Sequence, residues 1–343
     1  MSKPGRQPRV LVVGSANMDL VTRCEALPRP GETVFAQSFD AMPGGKGANQ
    51  AIAVARSGLA DCAFLGAVGA DEYGARLCDV LRGDGVDTEL VRELRGVPTG
   101  TALITVDPAG TNTIVVVSGA NGSLLGLCAT DLTRTRECAV VLAQLEIPVE
   151  TVYAAFTAIR ESGRGMAILN AAPARPLPAE LLAVTDLLVV NEIEAATIAG
   201  FELGAVEPGA LQLSGAARDA ALARCGELLE LTPRVALTLG EQGVCYASRD
   251  GARYQLPAAR ARSVDTTGAG DTFTGVLAAC LAADRPLETA LQYASAAASL
   301  SVEKPGAIPS IPREAEITAR HAAAYAYSGG KHTAAGTGQE NRR

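Results

Sequence analysis

The chain has 343 residues, of which 48% are hydrophobic, 20% charged and 4% aromatic, proportions that exclude wholesale disorder. Acidic residues outnumber basic ones, 37 to 30, for a net charge of −7, which disfavours nucleic acid as the main partner yet leaves room for a small phosphate ligand in a locally positive pocket. At this length one large α/β unit or two domains are possible. Histidine occurs only as His321 and His332, so a Ser-His-Asp or Cys-His hydrolase and a multi-histidine metal centre are disfavoured. The eight cysteines form no C-x-x-C and mostly sit in apolar runs, the pattern of buried thiols in a reducing compartment. The start of the chain lacks a signal-peptide core, and no stretch of about 20 apolar residues could cross a bilayer. A soluble, cytoplasmic protein with no membrane partner is expected.

In chain order, Val10–Val13 reads as a strand, Thr33–Phe39 as an extended segment, Ala48–Ser57 as a helix, Cys62–Val68 as a strand and Glu72–Arg82 as a helix. Thr101–Val117 reads as two antiparallel strands folded around Asp107–Gly110. Alternation then resumes with strands at Ala139–Leu145, Ala167–Leu169, Leu187–Val190 and Val235–Leu239, and helices at Glu150–Glu161, Glu192–Ala199 and Ala216–Leu231. Short continuous apolar runs are strands buried on both faces, so this alternation predicts a doubly wound, mainly parallel α/β sheet with helices on both faces. The extended segments near 17–45 and 98–120 are too short for a domain of their own and predict a small β lid. Three helices follow, Asp271–Ala283, Leu287–Val302 and Arg313–Tyr325. The expectation is one domain over 1–327 and a disordered tail over 328–343.

Ligands of such sheets bind beyond the carboxyl ends of the strands, where Asn17, Asp19, Glu146, Asn170, Asn191, Glu194 and Gly240 fall. Each alone could be a helix cap or a turn former. The strongest motif is Asp265-Thr266-Thr267-Gly268-Ala269-Gly270-Asp271 ahead of a helix. Its glycines and the unpaired N–H groups of the helix start make an anion hole suited to a phosphoryl group. Asp271 would repel that anion as a ligand, but it can serve as a general base beside it or, alternatively, as a helix cap. Gly44-Gly45-Lys46-Gly47-Ala48-Asn49-Gln50 is no P-loop, because Gly47 follows Lys46, and Gly14–Asp19 lacks G-x-G-x-x-G. Asn17, Asp19, Lys46 and Asn49 instead offer polyol hydroxyls donors and acceptors.

These two motifs, with Pro30–Thr33, Asn191–Glu194 and Thr238–Gly243, resemble the PfkB carbohydrate kinase family, in particular its ribokinase branch, over about Val10 to Pro312. The resemblance implies an ATP-dependent kinase that phosphorylates the 5-hydroxyl of D-ribose. It makes Asp271 the base and Gly268, Ala269 and Gly270 the hole for the γ-phosphate. Asn17, Asp19, Gly45, Lys46, Asn49 and Glu146 would hold the sugar. Asn191 and Glu194 would lie near the ATP phosphates, Glu194 meeting Mg2+ through water, and Thr238, Gly240 and Gly243 would line the nucleotide groove. For Asn191 a plain helix cap, and for Thr238–Gly243 a tight turn between strands, are equally good explanations. The resemblance further implies a K+ site built from Asp265, Thr267, Ser301, Lys304, Gly306 and Ser310, although Asp265 could instead cap the glycine loop. A homodimer through the β lid is expected. The alternatives are a sibling kinase acting on deoxyribose, fructose, ketodeoxygluconate or a nucleoside, and a non-catalytic sugar- or nucleotide-binding protein.

Overall fold

In the structure, a computed structural model that describes residues 9–200 and 215–325, the first apolar run becomes β1 (Arg9–Val13), with Val10–Val13 fully buried. The chain turns within three residues into β2 (Asn17–Cys24), returns as β3 (Ala36–Gly44) and enters α1 (Lys46–Arg56). There follow β4 (Asp61–Gly69), α2 (Glu72–Gly83), β5 (Asp87–Leu94), β6 (Gly100–Val106), β7 (Asn112–Val117) and a 3-10 turn over Gly119–Ser123. The middle of the chain supplies α3 (Ala129–Arg136), β8 (Val140–Ala143), α4 (Val149–Ser162), β9 (Met166–Asn170), α5 (Ala179–Ala183), β10 (Leu187–Asn191) and α6 (Glu192–Ala199). The remainder comprises α7 (Gly215–Leu228), β11 (Arg234–Thr238), β12 (Val244–Ser248), β13 (Arg253–Leu256), α8 (Ala269–Ala282), α9 (Leu287–Ser301), α10 (Ala307–Ser310) and α11 (Glu314–Tyr325). The tail expected over 328–343 lies outside the described residues.

Among the described residues the main sheet has the order β13-β12-β11-β10-β9-β8-β1-β4-β5. Neighbours pair in parallel from β5 to β11, while β12 and β13 close the other edge as antiparallel strands. Side chains alternate across β1: Val10 and Val12 join a core with Ile52, Phe273 and Leu291 on one face, and Leu11 and Val13 join one with Phe156 and Ile159 on the other. The doubly wound expectation therefore holds. No described helix is long and apolar enough to cross a membrane.

The second sheet has the order β3-β2-β6-β7, with β2 and β6 parallel and both outer pairs antiparallel. The hairpin expected at Thr101–Val117 is β6 and β7. The extended segment expected at Thr33–Phe39 is displaced, because β3 starts only at Ala36 and runs on to Gly44, in register with Asn17 at the start of β2. Its pairing with β2, not its own composition, decides where it ends. This sheet is poorly covered: every residue of β7 is exposed, Val115 at 60%, and Phe39 on the opposite edge is exposed to the same degree.

A half-buried arginine ties the last helices to the first. Arg56, in the last turn of α1, donates to the carbonyls of Ile308 (2.7 Å) and Ile311 (2.8 Å) and pairs with Asp84 at 2.7 Å. The loop carrying Gly306–Ser310 is thereby held against the helix that begins at Lys46.

Candidate active site

The candidate residues converge because backbone packs directly on backbone where β1 gives way to β2. Gly45 adopts φ 91°, and a Cβ there would lie 2.6 Å from the Asn17 nitrogen. A Cβ on Gly47 would lie equally close to the Ser15 nitrogen, and one on Gly44 would strike the Asp19 carboxylate. The glycine run thus lets the start of α1 lie flat on residues 14–17, which brings Lys46 and Asn49 beside Asn17 and Asp19. Glu146, just past β8, closes the group: its Oε2 accepts from the Ser15 hydroxyl (2.5 Å), the Lys46 N–H (3.3 Å) and the Asn17 amide (3.4 Å).

Asp271 lies in the first turn of α8, buried, with both carboxylate oxygens engaged. Asn49 Nδ2 donates to Oδ2 at 2.9 Å and Gln50 Nε2 to Oδ1 at 2.9 Å. Gln50 also donates to Asn170 Oδ1 and accepts from Gln144 Nε2, so a chain of buried amides leads from the strand ends to the carboxylate. The Asn49 Oδ1 atom is buried without a hydrogen-bond partner and remains an open acceptor.

Charge is concentrated here. Burial, with Glu146 and Asp271 nearby, pushes the Asp19 carboxyl up to about 7 against the pull of Lys46. Lys46 is itself held above its ordinary value, chiefly by Asp271 and further by Glu146, Glu194 and Asp19, against the effect of burial. Burial also raises Glu194. One ammonium thus serves four carboxylates.

The glycine loop before α8 is open on its outer side. Gly268 takes φ 75°, in the left-handed region, and a Cβ on Gly270 would meet nothing within 4 Å. Packing therefore does not require a glycine at 270, and the space beside it is free for a ligand. The Ala269 N–H is directed to the Thr266 carbonyl at 3.2 Å, which leaves the neighbouring amides as the freer donors. Asp265 anchors this loop: Oδ1 accepts from the Thr267 N–H (2.9 Å) and Oδ2 from the Gly306 N–H (2.8 Å). Burial would raise its carboxyl, but these hydrogen bonds outweigh it and hold the group below its usual value. Ser301 and Ser310 are buried and donate to carbonyls of their own turns, while the Lys304 side chain turns away to Glu316.

Asn191 and Glu194 form a reciprocal capping box at the start of α6, each side chain accepting the other's N–H at 2.9 Å. Asn191 is the register partner of Thr238, whose hydroxyl donates to the Val190 carbonyl. Gly240–Gln242 form a 3-10 turn between β11 and β12, and the φ of 102° at Gly243 belongs to that turn. The structure thus groups Asn17, Asp19, Lys46, Asn49, Glu146 and Asp271, sets Glu194 within electrostatic reach of Lys46 and Asp271, and puts Thr238–Gly243 at the end of the neighbouring strand and in the turn after it. Gln50, Gln144 and Ser15 were not singled out from the sequence. Of these only Gln50 carried a signal, its place at the end of the Gly44–Gln50 motif.

The pfkB family carbohydrate kinase model matches residues 7–314. Ribokinase of Bacillus subtilis is 38% identical over 310 residues, covering 90% of this chain and 97% of that protein. Ribokinase of Schizosaccharomyces pombe is 36% identical over 316 residues, covering 90% and 96%. Among solved structures, ribokinase of Arabidopsis thaliana complexed with ribose and ATP superposes with a TM-score of 0.82 at 33% identity, over 92% of this chain and 99% of that one. Matched by that family model over residues 7–314 and by ribokinases at 36–38% identity over 90% of its length, the chain belongs to the pfkB family of carbohydrate kinases.

Proposed function

We propose that the protein is an ATP-dependent ribokinase that transfers the γ-phosphoryl group of ATP to the 5-hydroxyl of D-ribose. The observation that carries this reading is Asp271, buried between the sugar-facing start of α1 and the open glycine loop, with both oxygens fixed by amides. Asp271 takes the proton of the 5-hydroxyl as its oxygen bonds to the γ-phosphorus, and the bond to the β-phosphate oxygen breaks to release ADP. The N–H groups of Gly268–Gly270 and the positive end of α8 receive the charge on the γ-phosphoryl oxygens, with Ala269 sharing its N–H with Thr266. Asn17, Asp19, Gly45, Lys46, Asn49 and Glu146 hold the ribose, and the partnerless Asn49 oxygen accepts a hydroxyl. Asn191, Glu194, Thr238, Gly240 and Gly243 line the ATP side.

Among the described residues no cluster of three or more His, Cys, Asp or Glu side chains forms a metal cage. Mg2+ would be carried in on the ATP phosphates, where Glu194 would hold it through water and the ion would offset phosphate charge. The Asp265 carboxylate, the Ser301 and Ser310 oxygens and the carbonyls of Thr267, Lys304 and Gly306 are hard donors that fit K+, which would stiffen the loop. The exposed apolar small sheet fits a second copy of itself, giving a homodimer whose lids close over the two sugars.

Asp271→Asn is expected to lower kcat for ribose phosphorylation about 100-fold or more with ribose and ATP still bound. Near-normal turnover would remove Asp271 as the base, and a sugar panel in which another acceptor outruns ribose would replace the substrate. Ionised Asp19 can accept hydroxyl hydrogens on both oxygens, whereas protonation turns one of them into a donor. With its carboxyl near 7, ribose affinity measured by titration calorimetry should fall by up to about tenfold per pH unit below that value and level off above it. The unliganded fold gains from the proton held on Asp19, fully below the ordinary value of 3.8, and loses that gain as pH rises toward 7. Asp19→Asn should flatten both profiles; a pH-independent affinity in the unmodified enzyme would refute the assignment.

Replacing Na+ by K+ at constant ionic strength is expected to raise the rate, and Asp265→Ala to abolish that response. Equal rates in both salts would leave Asp265 as a loop anchor alone. Light scattering at micromolar concentration should report a dimer, and a fully active monomer would exclude the lid interface.

A further inference from the structure

We propose that Asn121 is a positioning residue for the sugar site: it sets which way the Asn17 amide faces, and so which group Asn17 presents to Glu146 and the sugar. Asn121 lies outside every motif above, in the 3-10 turn that follows β7, and is 1% exposed. Its Oδ1 accepts the Ala16 backbone N–H at 2.9 Å. A backbone N–H can only donate, so oxygen must occupy that position and the amide of Asn121 has one orientation. Its Nδ2 is then committed to the other side, where it donates to the Ala16 carbonyl (3.1 Å) and to Asn17 Oδ1 (2.7 Å).

The constraint passes along. Facing a donor, Asn17 must show its oxygen to Asn121 and its Nδ2 to the Glu146 carboxylate, 3.4 Å away. The reversed amide would set two NH2 groups against each other and a carbonyl oxygen against a carboxylate, with each group unpaired inside the protein. Space enforces the same arrangement. A Cβ on Gly100, where β6 begins, would lie 2.2 Å from Asn121 Nδ2 and 2.3 Å from Asn17 Oδ1. The two amides therefore occupy the gap that this glycine leaves, and the start of β6, the turn after β7 and the corner between β1 and β2 meet at one hydrogen bond. A single buried side chain thereby makes the polarity of a sugar-facing residue depend on both ends of the small sheet's hairpin.

The inference rests on the reading of Asn17 as a sugar-binding residue, and steady-state kinetics of the full chain separate the two. Asn121→Asp replaces the donor by an acceptor of the same shape. The sugar KM is expected to rise about tenfold or more, while the KM for ATP stays within about twofold. In an Asn17→Ala background the same change is expected to move the sugar KM by less than about twofold, since no amide is left to orient. If Asn121→Asp fails to fold, Asn121→Ser carries the same comparison, with a smaller rise in the sugar KM that again vanishes beside Asn17→Ala. A normal sugar KM in Asn17→Ala overturns the role of Asn17, and this proposal with it. A raised KM there, combined with an equal further effect of the Asn121 change in both backgrounds or a parallel rise in the KM for ATP, overturns the positioning role alone.

Discussion

The site depends on one close approach, that of the backbone of Gly44–Gly47 to the backbone of residues 14–17. The Ala48 N–H donates to the Ser15 carbonyl at 2.9 Å, and Gly14 donates to Leu65 on the adjoining strand at 3.0 Å. With these contacts the first turn of α1 rests on the corner where the chain leaves the main sheet for the small one. Side chains at either point would separate the two segments by the width of a methyl group or more. Asn17 and Asp19 come from one side of this contact and Lys46 and Asn49 from the other, so a single packing event assembles residues far apart in sequence.

Such an assembly concentrates negative charge. Asp19, Glu146, Glu194 and Asp271 share Lys46, and the structure relieves the excess in different ways for each. Glu146 collects three donors on one oxygen, Asp271 is held by two amides, Glu194 accepts the Asn191 N–H, and burial pushes the Asp19 carboxyl up to about 7. Neutral amides do most of this work because they fix a carboxylate without adding a counter-charge that would compete for an incoming phosphate. The cation-rich alternative, an arginine cluster, is absent from these contacts.

Much of this was legible in the sequence, and the exceptions have physical causes. Continuous apolar runs marked the buried parallel strands, and the glycine motifs marked the two helix starts. The edge strand β5 shows no apolar run because Asp87–Leu94 is charged along its solvent side, and β2, within the extended segment near 17–45, has no clear start in the sequence because its first residues include Asn17 and Asp19. For Asn191 and the Thr238–Gly243 segment, the capping and turn explanations weighed against ligand contacts are present as geometry, and the two kinds of role are compatible. Gln144 and Asn121 were invisible for another reason. A buried amide follows no hydrophobic period, and its value depends on partners about 100 residues away that only the fold brings near.

The pairing of the small sheet carries a consequence for how the molecule comes together. Its central pair, β2 and β6, runs parallel, with Asn17 opposite Gly100, so no local hairpin can nucleate it. Between those strands the chain must complete β3 and then α1, β4, α2 and β5, the last four of which belong to the main sheet and its helices. Closing so long a loop is entropically costly until the intervening elements have condensed and shortened it. That entropy favours condensation of the main body before the central pair of the small sheet closes.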